Sequence, residues 1–322
     1  MISCFWSGLK ERIVKKLFTA TLVFIIALPL FAWKVQSIKQ LTQDGGWRSP
    51  VFSPDGSKFF ALNKNQQICL FDSGGTLLTI KENTDISLPC WSPDSKMLAA
   101  ELNSTICILE AENLSVMFLG KNVYKPRWSG DSKSIYCIFW KMDHNVARSE
   151  LKEISLAGGI NDYIDMPRDL GNIKGMAVST KEAKLAYTLK QKGVKTRLFL
   201  VNLENSEKKR LADGLNGKMV FWSPDGKYIW TGEELLDTVE KKVISEEMPV
   251  ASQVTWSKDS KWLFYSRENG ELARFDIAAK KEEVLITKDL SELSASFTQD
   301  GLLAVCLNGK DANLALVKFV ND

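Results

Sequence analysis

Phe52-Ser53-Pro54-Asp55-Gly56 opens a series that recurs along the whole chain. Later copies begin at Trp91 (Trp-Ser-Pro-Asp-Ser), Trp128 (Trp-Ser-Gly-Asp-Ser), Val178 (Val-Ser-Thr-Lys-Glu), Trp222 (Trp-Ser-Pro-Asp-Gly), Trp256 (Trp-Ser-Lys-Asp-Ser) and Phe297 (Phe-Thr-Gln-Asp-Gly). The starting positions are separated by about 41 residues on average, the period of a four-stranded propeller blade. Within each copy the chemistry is that of a tight turn. Proline presets φ, aspartate bonds nearby backbone N–H groups, and glycine relieves the exit.

The residues after each turn name the next element. Phe59-Phe60-Ala61, Leu98-Ala99-Ala100, Ile135-Tyr136-Cys137, Leu185-Ala186-Tyr187, Ile229-Trp230-Thr231, Leu263-Phe264-Tyr265 and Ala304-Val305-Cys306 align without gaps. They are apolar on consecutive positions, so each strand is covered on both faces. A third strand follows in most copies, as in Ile68-Cys69-Leu70-Phe71 and Leu314-Ala315-Leu316-Val317. Fourth, more exposed strands are expected near 76–80 and 280–286. After the last third strand the sequence stops at Asp322. The strand-like run 35–41 is therefore expected to supply the outer strand of the seventh blade and close the ring. Six or eight blades remain alternatives, because the Val178 copy is degenerate.

At Trp222-Ser223-Pro224-Asp225-Gly226-Lys227 the chain resembles the TolB-type, WD40-like propeller repeats. The resemblance covers roughly 47–320 and implies an all-β propeller. TolB itself resembles a six-bladed propeller behind an α/β domain. This chain is expected to lack that domain, so TolB's partners are not carried over.

The 322 residues carry 42 Lys and Arg against 39 Asp and Glu, a net charge of +3. The charges are mixed along the chain. No basic block alternates with aromatics, so nucleic-acid binding is not expected. The expected organisation is a short basic cytoplasmic segment at 1–16, an apolar helix at 17–33 and a propeller over 34–322. Lys10, Arg12, Lys15 and Lys16 before the apolar run place the N-terminus in the cytoplasm and the propeller outside it. The helix reads as an uncleaved signal anchor; the alternative is a cleaved signal and a secreted propeller. The expected location is thus the periplasmic or extracellular side of a membrane.

The propeller cysteines, Cys69, Cys90, Cys107, Cys137 and Cys306, are odd in number; Cys137 and Cys306 occupy the strand slot that is Ala61 and Ala100 in other copies, and Cys69 and Cys107 share a third-strand slot, so cysteine reads as a small buried hydrophobe. His144 is the one histidine. It reads as a loop residue, and no Cys/His spacing suggests a metal. The repeated aspartates read as turn caps and the repeated aromatics as packing between blades.

One group of residues reads differently. Four positions before each motif aromatic stand Arg48, Ser87, Tyr124, Lys174, Lys218, Ser252 and Leu293, with Lys125 and Arg127 close by. They are expected where the innermost strands begin, at one mouth of the channel. Arg48, Tyr124, Lys125, Arg127, Lys174 and Lys218 then form a basic, partly aromatic funnel for an acidic peptide or an anionic ligand. The expected function is a membrane-tethered module that binds a protein or peptide partner without a cofactor. The alternative is a propeller enzyme of lactonase, lyase or hydrolase type, with its site in the channel.

Overall fold

The computed structural model describes residues 33–81, 86–143, 146–158, 160–164, 171–245, 254–267, 269–286, 290–293, 301–307 and 312–321. These residues form seven four-stranded antiparallel sheets. Six follow chain order from the innermost strand outward. The seventh is composite: Leu290–Leu293, Leu302–Leu307 and Asn313–Asn321 are joined by Trp33–Gln40 as the outermost strand. The expected closure of a seven-bladed propeller is thus present. The seam is held beyond the strand itself, by Leu41 N–H and Thr42 N–H to Leu314 O (2.8 and 3.4 Å) and by Leu314 N–H to Thr42 Oγ1 (2.9 Å). The apolar run at 17–32 lies outside the described residues. Among those described, no helix is long and apolar enough to cross a membrane.

The motif turns that start at Phe52, Trp91, Trp128, Trp222 and Trp256 are built the same way. The serine N–H bonds the carbonyl five residues on, and the fifth motif residue donates its N–H back to the serine carbonyl, as in Gly56 to Ser53 (2.8 Å) and Ser95 to Ser92 (2.9 Å). The serine hydroxyl donates to the aspartate (Ser53 Oγ to Asp55 Oδ1, 2.6 Å). The same carboxylate oxygen accepts the N–H two residues ahead (Ser57, 3.0 Å). Copies at Ser92, Ser129, Ser223 and Ser257 repeat the hydroxyl contact at 2.6 Å. The turn-capping role of the aspartates therefore holds wherever the motif is described. Hydrogen bonds from Ser129 Oγ and Lys133 N–H hold the Asp131 carboxyl below its usual 3.8. Its contribution to stability is present above that value and is lost as pH falls through the folded-state value.

The fifth motif position is left-handed in every described copy except the fourth: φ is 72° at Gly56, 62° at Ser95, 61° at Ser132, 75° at Gly226, 60° at Ser260 and 73° at Gly301. Glycine adopts this conformation without cost. Where serine stands instead, its hydroxyl reaches the preceding blade. Ser95, Ser132 and Ser260 accept the N–H groups of Asp55 (3.1 Å), Asp94 (3.2 Å) and Asp225 (3.0 Å). The serine variants of the motif thus exchange backbone ease for a stitch between neighbouring turns.

The second strands are buried as their apolar runs require: Phe59, Phe60, Ala61, Leu263, Phe264, Val305 and Cys306 are all fully covered. The motif aromatics fill the seams between blades. Trp91 donates its indole N–H to Val51 O (2.9 Å), Trp128 to Cys90 O (3.1 Å) and Trp222 to Ala177 O (3.2 Å). Each acceptor is the residue just before the first motif residue of the preceding blade: Phe52, Trp91 or Val178.

Blade 3 departs from its neighbours. Its second and third strands, Ser134–Asp143 and Val146–Ser155, run ten residues each, against six for Met97–Leu102 and Thr105–Glu110 in blade 2. This long hairpin takes up much of the enlarged spacing before the fourth motif. His144 lies outside the described residues.

All five propeller cysteines are free thiols, and four are buried. Burial pushes the Cys69 and Cys107 thiols up to about 11 and Cys137 to about 12. The thiolate is the reactive form. At pH 8 a disulfide reagent is therefore expected to leave Cys69, Cys107 and Cys137 untouched in the native protein and to modify all three in denaturant. Rapid native labelling of any of the three would contradict their placement.

Candidate functional site

The innermost strands begin at one end of the ring, as their turns require: Arg48–Phe52, Ser87–Trp91, Val123–Trp128 and Asn172–Val178. In each of these four the pairing with the second strand is interrupted by an irregularity near the start, between Arg48 and Val51, Ser87 and Cys90, Tyr124 and Arg127, and Ile173 and Gly175. Such bulges twist a strand and re-aim a side chain. In blades 1 and 3 the bulged residue is left-handed, with φ of 51° at Ser49 and 55° at Lys125. A proline follows both, Pro50 and Pro126.

Lys125 is the centre of the arrangement. Its ammonium donates across the seam to Lys174 O in blade 4. Its own N–H donates to Glu101 Oε2 in blade 2 (3.2 Å). Burial, then the charges of Arg127 and Lys174, lower its pKa, and Glu101 opposes them. Arg127 also reaches blade 4, with Nε to Met176 O at 3.1 Å, while Nη1 bonds Pro126 O at 2.8 Å. Three cations thus gather at the start of blades 3 and 4 with one carboxylate beside them. Two of the three are oriented by backbone carbonyls, which fix the head groups without neutralising them.

The other candidates are more dispersed. Tyr124 is tied through its hydroxyl to Ser104 Oγ (2.9 Å) in the turn of blade 2. Arg48 sits on blade 1 opposite Leu62, and its Nε is buried with no hydrogen-bond partner among the described residues. Lys218 does not lie within a strand, because the innermost strand of blade 5 starts only at Phe221. Its side chain is exposed, and its carbonyl accepts Thr188 Oγ1 at 2.8 Å. The cause is a close approach: a Cβ on Gly175 would stand 2.4 Å from Lys218 O. Among the described residues neither Arg48 nor Lys218 bonds to the Lys125 group. Ser252 and the side chain of Leu293 fall outside the description.

Sequence reasoning missed Glu101. It directly follows the buried Leu98-Ala99-Ala100 run and pairs in register with Ser87. A carboxylate at the end of an apolar second strand, level with the start of an innermost strand, is the signal that would have found it. Among the described residues no three His, Cys, Asp or Glu side chains converge in a way that could hold a metal.

No family model matches the sequence, and no curated protein matches it. Solved structures do resemble the fold. An oligogalacturonate lyase in complex with manganese superposes with a TM-score of 0.67 at 15% identity, over 90% of this chain and 96% of that one. The β-propeller domain of Cps50 (Swd1) from Myceliophteria thermophila gives 0.66 at 10% identity, over 87% and 99%. One is an enzyme and the other a WD40 propeller. At these identities the likeness is one of fold, which hosts unrelated activities.

Proposed function

We propose that this chain is a membrane-tethered, extracytoplasmic propeller that binds an acidic segment of a protein partner at the channel mouth. The observation that carries the reading is Lys125. A strained, bulged residue with a partly desolvated ammonium beside two further cations is costly to the fold, and such costs gather at binding sites. The basic segment and apolar run at 1–33 support the tether, and the Trp-Ser-Pro-Asp-Gly-Lys repeat supports a TolB-like setting in an envelope or transport assembly. No cofactor enters this reading.

The reading makes a paired prediction. Lys125→Met removes the buried charge and is expected to stabilise the fold at neutral pH by about 1 kcal/mol. It is expected to weaken binding of a hexaglutamate peptide roughly tenfold. The sign with pH follows. The folded-state pKa lies below the unfolded value of about 10.5, so the charge penalty is full below the folded value. It fades as pH rises toward the unfolded value, and the stability gap between variant and wild type should close there. Calorimetric titration of the full chain in detergent, with Lys174→Gln alongside, reads the binding. Unchanged affinity in both variants would remove the mouth from the function. Protease protection in sealed membranes of the native host tests the tether separately.

A second reading is a propeller enzyme that works in the channel. Arg48 Nε and Asn172 Oδ1, both at the mouth and both buried without partners among the described residues, are groups a small polar substrate would satisfy. Turnover of an anionic sugar or lactone by the purified chain would favour it.

A further inference from the structure

Each blade ends in an outermost strand, and these strands form the rim of the ring. An outermost strand has one free edge, and soluble chains blunt such an edge with charge. The rim strands of blades 4 and 6 do so. Lys208–Leu215 carries Lys208, Lys209, Arg210 and Asp213, and Lys281–Ile286 carries Lys281, Glu282 and Glu283. In blades 7, 1 and 2 the rim is Trp33–Gln40, Leu77–Lys81 and Val116–Leu119. These three strands contain lysines but no aspartate or glutamate. Their apolar side chains stand in the open: Ile38, Leu77, Leu78, Ile80, Met117 and Phe118 are exposed, Phe118 by 61%. Apolar surface gathered in this way marks a contact with something apolar.

The three blades are consecutive around the ring. Blade 7 packs on blade 1 through Ala304, Leu316, Phe59 and Phe71, and blade 1 on blade 2 through Phe60, Leu70, Leu98 and Leu109. The rim itself is joined where the ring closes. Lys39 Nζ donates to Gly74 O (2.9 Å), in the turn that leads into Leu77–Lys81. A Cβ on Gly75 would stand 2.4 Å from Leu41 Cδ2. The order of the chain supplies the occupant. The apolar run at 17–32 leads without a linker into Trp33, the first residue of the blade 7 rim strand. Ile38 follows the end of that run by at most about 22 Å of extended chain. A bilayer that holds the run therefore lies within that reach of the rim.

We propose that the rim of blades 7, 1 and 2 beds into the surface of the bilayer that holds the tether, an inference that rests on the tether reading above. Ile38, Leu78 and Phe118 enter the boundary between headgroups and acyl chains, and Lys39 and Lys81 reach the phosphates. An acid on this rim would face anionic headgroups, and the three strands have none. Contact along the rim leaves the channel mouth, at one end of the ring, free for its partner.

The test reconstitutes the full chain in phosphatidylcholine–phosphatidylglycerol vesicles containing a phosphatidylcholine with a diazirine on its acyl chain. Photolabelled peptides are mapped by mass spectrometry. Label is expected at 77–81 and 116–119 as well as at 17–32, and roughly tenfold less at 208–215 and 281–286. The double variant Leu78→Glu, Phe118→Glu should cut the rim label roughly tenfold. Its label at 17–32 and its thermal midpoint should not change, because both side chains are exposed. If its midpoint falls, Phe118→Glu alone replaces it. Label at 17–32 with none at 77–81 and 116–119 would overturn the rim contact and leave the tether standing. Undiminished rim label in a folded variant would overturn it as well. A dimer mass with the rim unlabelled would overturn it in favour of a second copy. Label at neither place would remove the tether and the rim contact together.

Discussion

Trp128→Ala is expected to destabilise the propeller by about 3–5 kcal/mol, the range for deleting a large aromatic from a packed core. Trp128 closes the seam between blades 2 and 3. Its ring lies in one cluster with Ala99, Ile106, Ile108, Val123, Ile135, Cys137 and Ile154, and it is 5% exposed. The seam is flanked on both sides by sheet, so the walls cannot collapse into the cavity without moving a whole blade. The hydrogen bond to Cys90 O is lost as well. Urea denaturation reads the change. A loss below 1 kcal/mol would mean that the blades are not held together by their motif aromatics.

A comparison of two phenylalanine variants separates packing from hydrogen bonding. Trp128→Phe gives up an indole N–H that is bonded, at a cost of about 1 kcal/mol beyond the lost area. Trp256→Phe gives up an N–H that is buried with no partner among the described residues. That group has lost its water and gained nothing, so removing it offsets part of the lost burial. Trp256→Phe should therefore be the milder change of the two, although both rings are almost fully covered.

The ring was legible in the sequence because each blade repeats the same local solution. Serine, aspartate and a left-handed fifth residue recur at fixed offsets, and every copy feeds an apolar strand covered on both faces. Even the closure could be read, since a missing fourth strand at one end matched a spare strand at the other. What repeats is visible in one sequence; what occurs once is not. Glu101 belongs to no repeat, and its meeting with Lys125 depends on how blade 2 and blade 3 are set side by side. The gathering of Lys125, Arg127 and Lys174 was foreseen in charge but not in form. The bulge at Lys125 sends its head group to Lys174 O, and no spacing rule states where a bulged side chain goes. Lys218 was placed in a strand by analogy with the other copies. The close approach at Gly175 instead holds that segment through its carbonyl, outside the ladder.

The Val178 copy is visible in the sequence as a defect in the pattern. A weak repeat copy is a natural place to doubt the blade count. The structure keeps the blade: Asn172–Val178 pairs with Lys184–Lys190, with one irregularity between Ile173 and Gly175, and Val178 packs against the core cluster that holds Tyr136 and Tyr187. Departures from an otherwise consistent pattern concentrate where a molecule gives up stability for another purpose. The bulged, left-handed Lys125 at the start of blade 3 is such a departure.

Glu234→Ala is expected to cost about 2–4 kcal/mol, although the residue is charged, unrepeated and far from any motif turn. Glu234 is 5% exposed and sits in the turn after the second strand of blade 5. Its carboxylate accepts Asn216 N–H (2.7 Å), Gly217 N–H (3.1 Å) and Thr231 Oγ1 (2.5 Å). Alanine would leave the buried Gly217 N–H and the buried Thr231 hydroxyl without this acceptor, at the cost of their desolvation, and would release the Asn216 N–H of an exposed residue. Glu234→Gln keeps the shape but turns one acceptor oxygen into an NH₂ group facing a donor, so it should recover only part of the loss. Gly217 is held equally tightly: a Cβ there would stand 2.3 Å from Thr231 Oγ1 and 2.8 Å from Glu234 Oε2. Gly217→Ala should therefore push the same turn apart and mimic Glu234→Ala. Because Met219 N–H bonds Thr231 O at 2.7 Å, this turn also fixes the segment that carries Lys218. Hydrogen exchange would show the local opening first at Gly217 and Met219. If those amides stay protected in Glu234→Ala while global stability falls, the carboxylate supports the blade through packing and not through the donors it accepts.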